Sequence, residues 1–169
     1  MYLIIFFTIL VFLITYIYGN ARGAPWVPSR KHDVQRFLTL ANITPGQKVY
    51  DIGCGDGRLV AAAAEAGAHA VGYEISLLPF LLAKFRGLFI KNKKNYKIIY
   101  KDFWHCNLGD ADVIYFFLLP KIYNRLQKKL EKELKNGAKV IAYVWPISEW
   151  EPEKIDKANN FPTYYMYKR

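Results

Sequence analysis

Charged side chains are missing from the first 18 residues, MYLIIFFTILVFLITYIY. A helix of about 19 residues rises about 28 Å, close to the roughly 30 Å hydrocarbon core of a bilayer. A buried core helix is one alternative, but polar positions are nearly absent all round. A secretory signal is the competing reading, and Ala21 and Ala24 offer small residues near a cleavage position. However, no Lys or Arg precedes the run, and it exceeds the roughly 7–15 apolar residues of such signals. An uncleaved anchor is therefore expected. Cysteine is scarce too, with only Cys54 and Cys106 present. A structural disulfide is not expected, no Cys/His cluster has zinc spacing, and no metal site is expected. A reducing compartment fits. No repeat or low-complexity tract interrupts the 169 residues, which suggests one domain behind the anchor.

Of what is present, positive charge stands out first: the net charge is +10. One basic stretch runs through Lys84, Arg86, Lys91, Lys93, Lys94, Lys97 and Lys101, and a second from Lys121 to Lys139. Solvated helix faces would explain these, as would attraction to an anionic surface. The anchor favours lipid, and nucleic acid is not an expected partner. Tyr16 and Tyr18 suit a membrane interface. Arg22, Arg30 and Lys31 follow the apolar run, so the positive-inside rule places the C-terminal domain on the cytoplasmic face of a single-pass protein. The expected layout is an anchor over 1–19, a Pro-containing loop over 20–31 and a domain over 32–169.

In that domain, strands and helices alternate. Strands are expected at 48–52, 68–73, 96–101, 112–117, 138–144 and 163–167. Helices are expected over 34–41, 58–66, 77–90 and 121–134, the last closed by Asn136-Gly137. This pattern predicts an α/β fold: a doubly wound, mostly parallel, Rossmann-like sheet with helices on both faces. Ligands of such sheets bind at the carboxyl ends of the strands. Asp51 and a Gly turn, Glu74, and Asp102 follow the first, second and third strands.

The turn reads Asp51-Ile52-Gly53-Cys54-Gly55-Asp56-Gly57. Its glycines allow conformations and close approaches that a side chain blocks. The next helix aims its N-terminal N–H groups at the turn. A dinucleotide fingerprint, G-x-G-x-x-G, needs its third Gly where Arg58 stands, which disfavours NAD. G-x-G-x-G preceded by Asp51 suits S-adenosylmethionine, whose amino-acid ammonium needs acceptors. Glu74 is placed for the ribose hydroxyls, Asp102 for the adenine amine and Phe103 for its ring. The expected cofactor set is therefore Asp51, Gly53, Cys54, Gly55, Gly57, Glu74, Asp102 and Phe103.

These residues resemble class I S-adenosylmethionine-dependent methyltransferases over about 47–145. A narrower likeness lies in Pro25-Trp26-Val27-Pro28-Ser29, VYDIGCGDGRLV, VGYEIS and KDFW. Together they resemble the small membrane-anchored protein-lysine methyltransferases, which in animals act on adenine nucleotide translocase and the c-ring protein of ATP synthase. That resemblance implies cofactor contacts by Asp51, Gly53, Gly55, Glu74 and Asp102, and a flap formed by Trp26 to Ser29. It also implies a protein substrate in or at the same membrane, an organellar inner membrane in a eukaryote. Trp26, Pro28, Phe117 and Pro120 are the candidate substrate residues. The segment Tyr115-Phe116-Phe117-Leu118-Leu119-Pro120 lacks the Asn/Asp-Pro-Pro-Tyr/Phe signature of many nucleic-acid and glutamine amino-group methylases. An aromatic rim there suits a lysine stem; a buried strand end is the plain reading. No general base is assigned; His105, just after the third strand, reads as an ordinary loop histidine, with a catalytic role as the alternative. Methylation of a lysine, methylation of a lipid or small molecule, and nucleotide binding without transfer all stay open at this point.

Overall fold

Val and Ile recur in the central strands, and residues of opposite parity face opposite sides of the sheet. On β4 (Val113–Phe116), Val113 and Tyr115 join one core cluster while Ile114 and Phe116 join the other, and all four are buried. A strand buried on both faces requires cover on both, and the computed structural model, which describes residues 1–169, supplies it.

The other strands are β1 (Lys48–Ile52), β2 (His69–Glu74), β3 (Tyr96–Tyr100), β5 (Lys139–Tyr143), β6 (Lys154–Asp156) and β7 (Tyr164–Lys168). They form one sheet of seven in the order β3-β2-β1-β4-β5-β7-β6. The five from β3 to β5 are parallel, and β7 and β6 add antiparallel. Helices α2 (Lys31–Ala41) and α3 (Arg58–Glu65) cover one face with Phe37, Leu59 and Val60. Helix α5 (Tyr123–Glu133) covers the other with Leu126 and Leu130. Helix α4 (Leu77–Arg86) contributes only Pro79 and Ala83 as buried residues. The chain order reverses between β1 and β4, so a crevice opens above their carboxyl ends.

Within β2, Gly72 pairs with Asp51 of β1 and Ile98 of β3. A Cβ there would stand 2.6 Å from Cys54 Sγ and 2.9 Å from Ile98 Cδ1. Gly72→Ala is accordingly expected to destabilise the fold by about 2–3 kcal/mol through overpacking. Denaturant unfolding checks this, and an unchanged midpoint would contradict it.

Helix α1 (Tyr2–Arg22) is long and apolar enough to cross a membrane by length and composition. Only Gly19 of its residues is buried, so it is not a core helix. It runs to Arg22, three residues past the expected anchor boundary of 19, and the Pro-containing loop shortens accordingly. Helix α4 stops at Arg86, and 87–90 is not helical. Helix α5 ends at Glu133, and the Leu134 that caps it is already extended; Asn136-Gly137 is a separate turn into β5, with Gly137 at φ +84°. Strand β6 is not foreseen from the sequence. Its three residues carry no buried apolar position to reveal a period, and it is held at the edge by β7 and Arg36.

Candidate active site

Strand β1 delivers Asp51 to the crevice, and the chain then turns sharply. The N–H groups of Gly53 and Cys54 both donate to the Tyr73 carbonyl, at 2.9 and 3.0 Å. Gly53, Gly55 and Gly57 take φ of +86°, +55° and +72°, a left-handed sequence that other residues rarely adopt. The resulting cradle is walled by Glu74 at the end of β2, by Asp102 and Phe103 after β3, and by Tyr115 and Phe117 around the end of β4. Across its mouth lies the strap 23–29, which follows α1. The end of α1 itself contributes Gly19 and Arg22 to the wall.

Asp51 is buried, and its Oδ1 has no hydrogen-bond partner. Burial, with the nearby Glu74 and Asp56 carboxylates adding to it, pushes its pKa well above the ordinary carboxylate range. Glu74 is fixed in place: Oε1 accepts from the N–H groups of Ile75 and Ser76 at 2.9 and 2.7 Å, and Oε2 from Gly55 N–H at 2.8 Å. Two further buried polar atoms in this cleft lack partners, Trp26 Nε1 and Tyr115 OH. Tyr115 is the β4 residue in register with Asp51, and burial raises the pKa of its hydroxyl well above the ordinary value.

The strap is tied down by charge. Asp56 accepts from Arg58 and from Arg86, with Nη2 of each at 2.6 and 2.8 Å from Oδ2. Burial raises the Asp56 pKa, but the hydrogen bonds and charge of Arg58, with the charge of Arg86, outweigh it and hold the group below its usual range. Arg58 also donates to the Ser29 carbonyl. One acid in the Gly turn thus links the strap, α3 and α4. Trp26 stands over Gly55, where an added Cβ would approach its Cδ1 to 2.5 Å. The open volume left in the cleft is about 70 Å³. Asp102 has two partners: Oδ1 caps the following turn at Trp104 N–H (3.0 Å), and Oδ2 pairs with Arg22 Nη2 at 2.9 Å.

Asp51, Gly53, Cys54, Gly55, Glu74, Asp102 and Phe103 all line this one cleft, as do Trp26, Pro28 and Phe117. Two expected residues do not. Gly57 is the N-cap of α3, packed under Tyr96 and Ala83, so its place is in the turn rather than in the wall. Pro120 opens a 3-10 turn. Its neighbours brace the end of α1, with Leu119 N–H donating to the Gly23 carbonyl. His105 is exposed and outside the cleft. The site residues that sequence reasoning does not single out are Arg22 and the Asp56–Arg58–Arg86 group, together with Tyr115, which enters it only as part of the 115–120 aromatic segment. Tyr115 reads as one more apolar strand residue, and Arg22 as a flanking charge, until the fold brings them to the wall.

On the far side of the strap a second cleft of about 490 Å³ is lined by Val27, Pro28, Phe117, Tyr143, Val144 and Phe161, among others. Pro28 and Phe117 border both clefts. Val144 holds φ +78°, an outlier for a β-branched residue. Such strain concentrates at functional sites.

Against known proteins, the profile of the ANTKMT methyltransferase domain matches residues 51–154. A protein-lysine N-methyltransferase of Saccharolobus islandicus (strain REY15A) is 33% identical over 150 residues, covering 85% of this chain and 92% of that protein. A Rattus norvegicus lysine N-methyltransferase named for the c-type subunit of ATP synthase is 35% identical over 129 residues, 76% of this chain and 59% of its own length. An adenine nucleotide translocase lysine N-methyltransferase of Mus musculus is 34% identical over 134 residues, with shares of 78% and 57%. The chain thus spans nearly all of the Saccharolobus islandicus relative but little more than half of the Rattus norvegicus and Mus musculus ones. Among solved structures, an RNA methyltransferase from Salinibacter ruber in complex with S-adenosyl-L-homocysteine superposes with a TM-score of 0.80 and 28% identity, covering 84% of this chain and 93% of that one.

Proposed function

The chain belongs to the ANTKMT methyltransferase family, and from that premise we propose that it N-methylates a lysine of a protein in or beside the membrane to which α1 tethers it. Its cofactor is S-adenosylmethionine. The observation that carries the reading is the concentration of unmet polar need. Of four buried side-chain polar atoms without partners, three (Trp26 Nε1, Asp51 Oδ1 and Tyr115 OH) belong to residues that line the cleft above the Gly turn. Buried groups of this kind are costly unless a ligand completes them.

In this reading Asp51 would accept the ligand's ammonium, Glu74 its ribose hydroxyls with the lone pairs its backbone bonds leave free, and Phe103 would flank its ring. S-adenosylmethionine supplies an electrophilic methyl group on a sulfonium. The cleft is tight for it, since small-molecule sites usually offer about 300–1,000 Å³. Trp26 would therefore swing off Gly55 as the strap opens. The acceptor lysine would enter by the outer cleft, its stem lying along Phe117, Tyr143 and Phe161. The aromatic part of this lining and the Arg30 charge beside it favour the neutral amine, which is the nucleophilic form, while Asp33 is paired with Arg36. The strap, bordering both clefts, would align the two reactants, and alignment is the main service an enzyme gives to such a displacement.

Retention of α1 is part of the proposal. Its last turn is built into the cleft wall through Gly19 and the Arg22–Asp102 pair, which a cleaved signal would remove or free. A tether raises the effective concentration of a membrane-borne substrate. Absence of the Asn/Asp-Pro-Pro-Tyr/Phe element speaks against a nucleobase acceptor. To test the reading, membranes of the native host are incubated with the full chain and a methyl-labelled donor. Label is expected on protein, on lysine by peptide mass spectrometry. Label confined to the lipid extract, or to RNA, would overturn it.

A further inference from the structure

Helix α4 turns its apolar face the wrong way for a soluble protein. Pro79 and Ala83 point to the sheet and are buried. Leu78, Leu81, Leu82 and Phe85 point outward, and the apolar row continues past the helix into Leu88 and Phe89. Phe85, Leu88 and Phe89 are 60, 61 and 72% exposed. The spacing i, i+3, i+4, i+7 puts the helical four on one face. Phe85 and Phe89 extend it as an edge-on pair with ring centroids 5.0 Å apart. A contiguous exposed apolar surface of this kind marks an interaction site.

Two observations identify what covers it. The first is continuity with α1. The Leu77 N–H of α4 donates to Thr15 Oγ1, and Gly19 sits against Ile75 and Ser76. The outward face of α4 therefore begins beside the last turns of α1. The second is charge. Between Glu74 and Asp102 there is no acidic residue, while seven are Lys or Arg. Arg86 is held by Asp56, but Lys84, Lys91, Lys93, Lys94, Lys97 and Lys101 are exposed and none is in an ion pair. An apolar face bordered by unpaired lysines suits lipid acyl chains overlain by anionic headgroups.

We propose that α4 and the 87–94 turn after it form a second membrane contact. In this arrangement α4 lies in the headgroup layer of the leaflet where α1 ends, with Leu78 to Phe89 toward the acyl chains and the lysines at the phosphates. The proposal rests on the reading of α1 as a membrane span. Its consequence is orientation. Helix α4 starts three residues after Glu74, and its last residue, Arg86, holds Asp56 of the Gly turn. Docking α4 would fix the cofactor cleft against the bilayer surface instead of leaving it to swing on one helix.

The test uses the full chain reconstituted in phosphatidylcholine vesicles with or without phosphatidylglycerol. An environment-sensitive fluorophore is attached at Phe89→Cys, and in separate samples at Ile9→Cys on α1 and Lys128→Cys on α5. The two native cysteines are buried. With anionic lipid, the label at 89 is expected to shift to the blue and to be quenched by shallow nitroxide lipids. Its quenching should weaken several-fold without phosphatidylglycerol. The label at 9 should be quenched by deep nitroxides in both vesicles, and that at 128 by neither. If 9 is quenched while 89 behaves like 128, the span stands and the α4 contact is overturned. If neither 9 nor 89 is quenched, both fail. A blue shift at 89 without lipid quenching would assign the face to a second copy or another protein, and would also overturn the proposal.

Discussion

Asp51→Asn is expected to weaken S-adenosylmethionine binding by about 10–100-fold while making the ligand-free protein more stable. Both effects come from one atom. Asp51 Oδ1 is buried without a partner, so the carboxylate is costly until a cation arrives. A hydrogen bond to a charged group contributes about 1.5–3 kcal/mol, and each 1.4 kcal/mol is about tenfold in affinity. The stabilisation has a definite pH dependence. Burial, then Glu74 and Asp56, raises the folded-state pKa of Asp51 well above its unfolded value. As pH rises past the unfolded value, the unfolded chain gives up this proton first, and stability falls until the folded pKa is passed. Asn does not titrate. The variant's advantage should therefore be small near pH ~4 and grow toward neutrality, reaching about 2–6 °C in melting temperature. Calorimetric titration with the cofactor and thermal scans across pH measure the two arms. Equal affinities would remove Asp51 from the cofactor's partners, and a gap independent of pH would reject the electrostatic origin.

Glu74→Ala should do the reverse, losing stability and binding together. Its carboxylate satisfies three backbone N–H groups, those of Gly55, Ile75 and Ser76. Each buried donor left without a partner costs about 1–3 kcal/mol, so the truncation should cost about 3–6 kcal/mol. Typical domains hold only about 5–15 kcal/mol in total. Glu74→Gln keeps one acceptor oxygen and should lose about 1–2 kcal/mol, yet still bind the ribose poorly. In denaturant titrations of the full chain in detergent, the midpoint should fall in the order wild type, Gln, Ala. A wild-type midpoint for Glu74→Ala would show that the Gly turn holds its shape without this carboxylate.

The two variants separate two kinds of site residue. Asp51 is strained by its position and waits for a ligand, whereas Glu74 is part of the scaffold even when no ligand is bound. Sequence position does not distinguish them, since each is an acid at the end of a parallel strand. Hydrogen-bond partners do.

Much of the sheet was legible because strands buried on both faces read as short apolar runs, and Gly or Pro marks their ends. Strand β1 runs over 48–52 as the pattern predicts, and the other five expected strands differ by a residue or so at their ends. Strand β6 was hidden because an exposed edge strand of three residues has no apolar alternation. The cleft was legible through Asp51, Glu74 and Asp102 because a doubly wound topology brings successive strand ends to one rim.

By itself the sequence determined the parallel α/β architecture, the glycine spacing that suits S-adenosylmethionine better than a dinucleotide, and an apolar N-terminal helix without charge. These are local properties: period, spacing and composition within a few turns of chain. Tertiary structure alone decided which polar atoms would be buried without partners, and so made Tyr115 a companion of Asp51. It alone seated Trp26 on Gly55, and paired Arg22 with Asp102 across 80 residues. It also decided which way α4 faces. Both sides of that helix are apolar, so periodicity could not choose between them, and only packing against the sheet left Leu78, Leu81, Leu82 and Phe85 outside. Burial depends on neighbours remote in sequence, and that is why the ligand's chemistry could be read along the chain while the surroundings of the site could not.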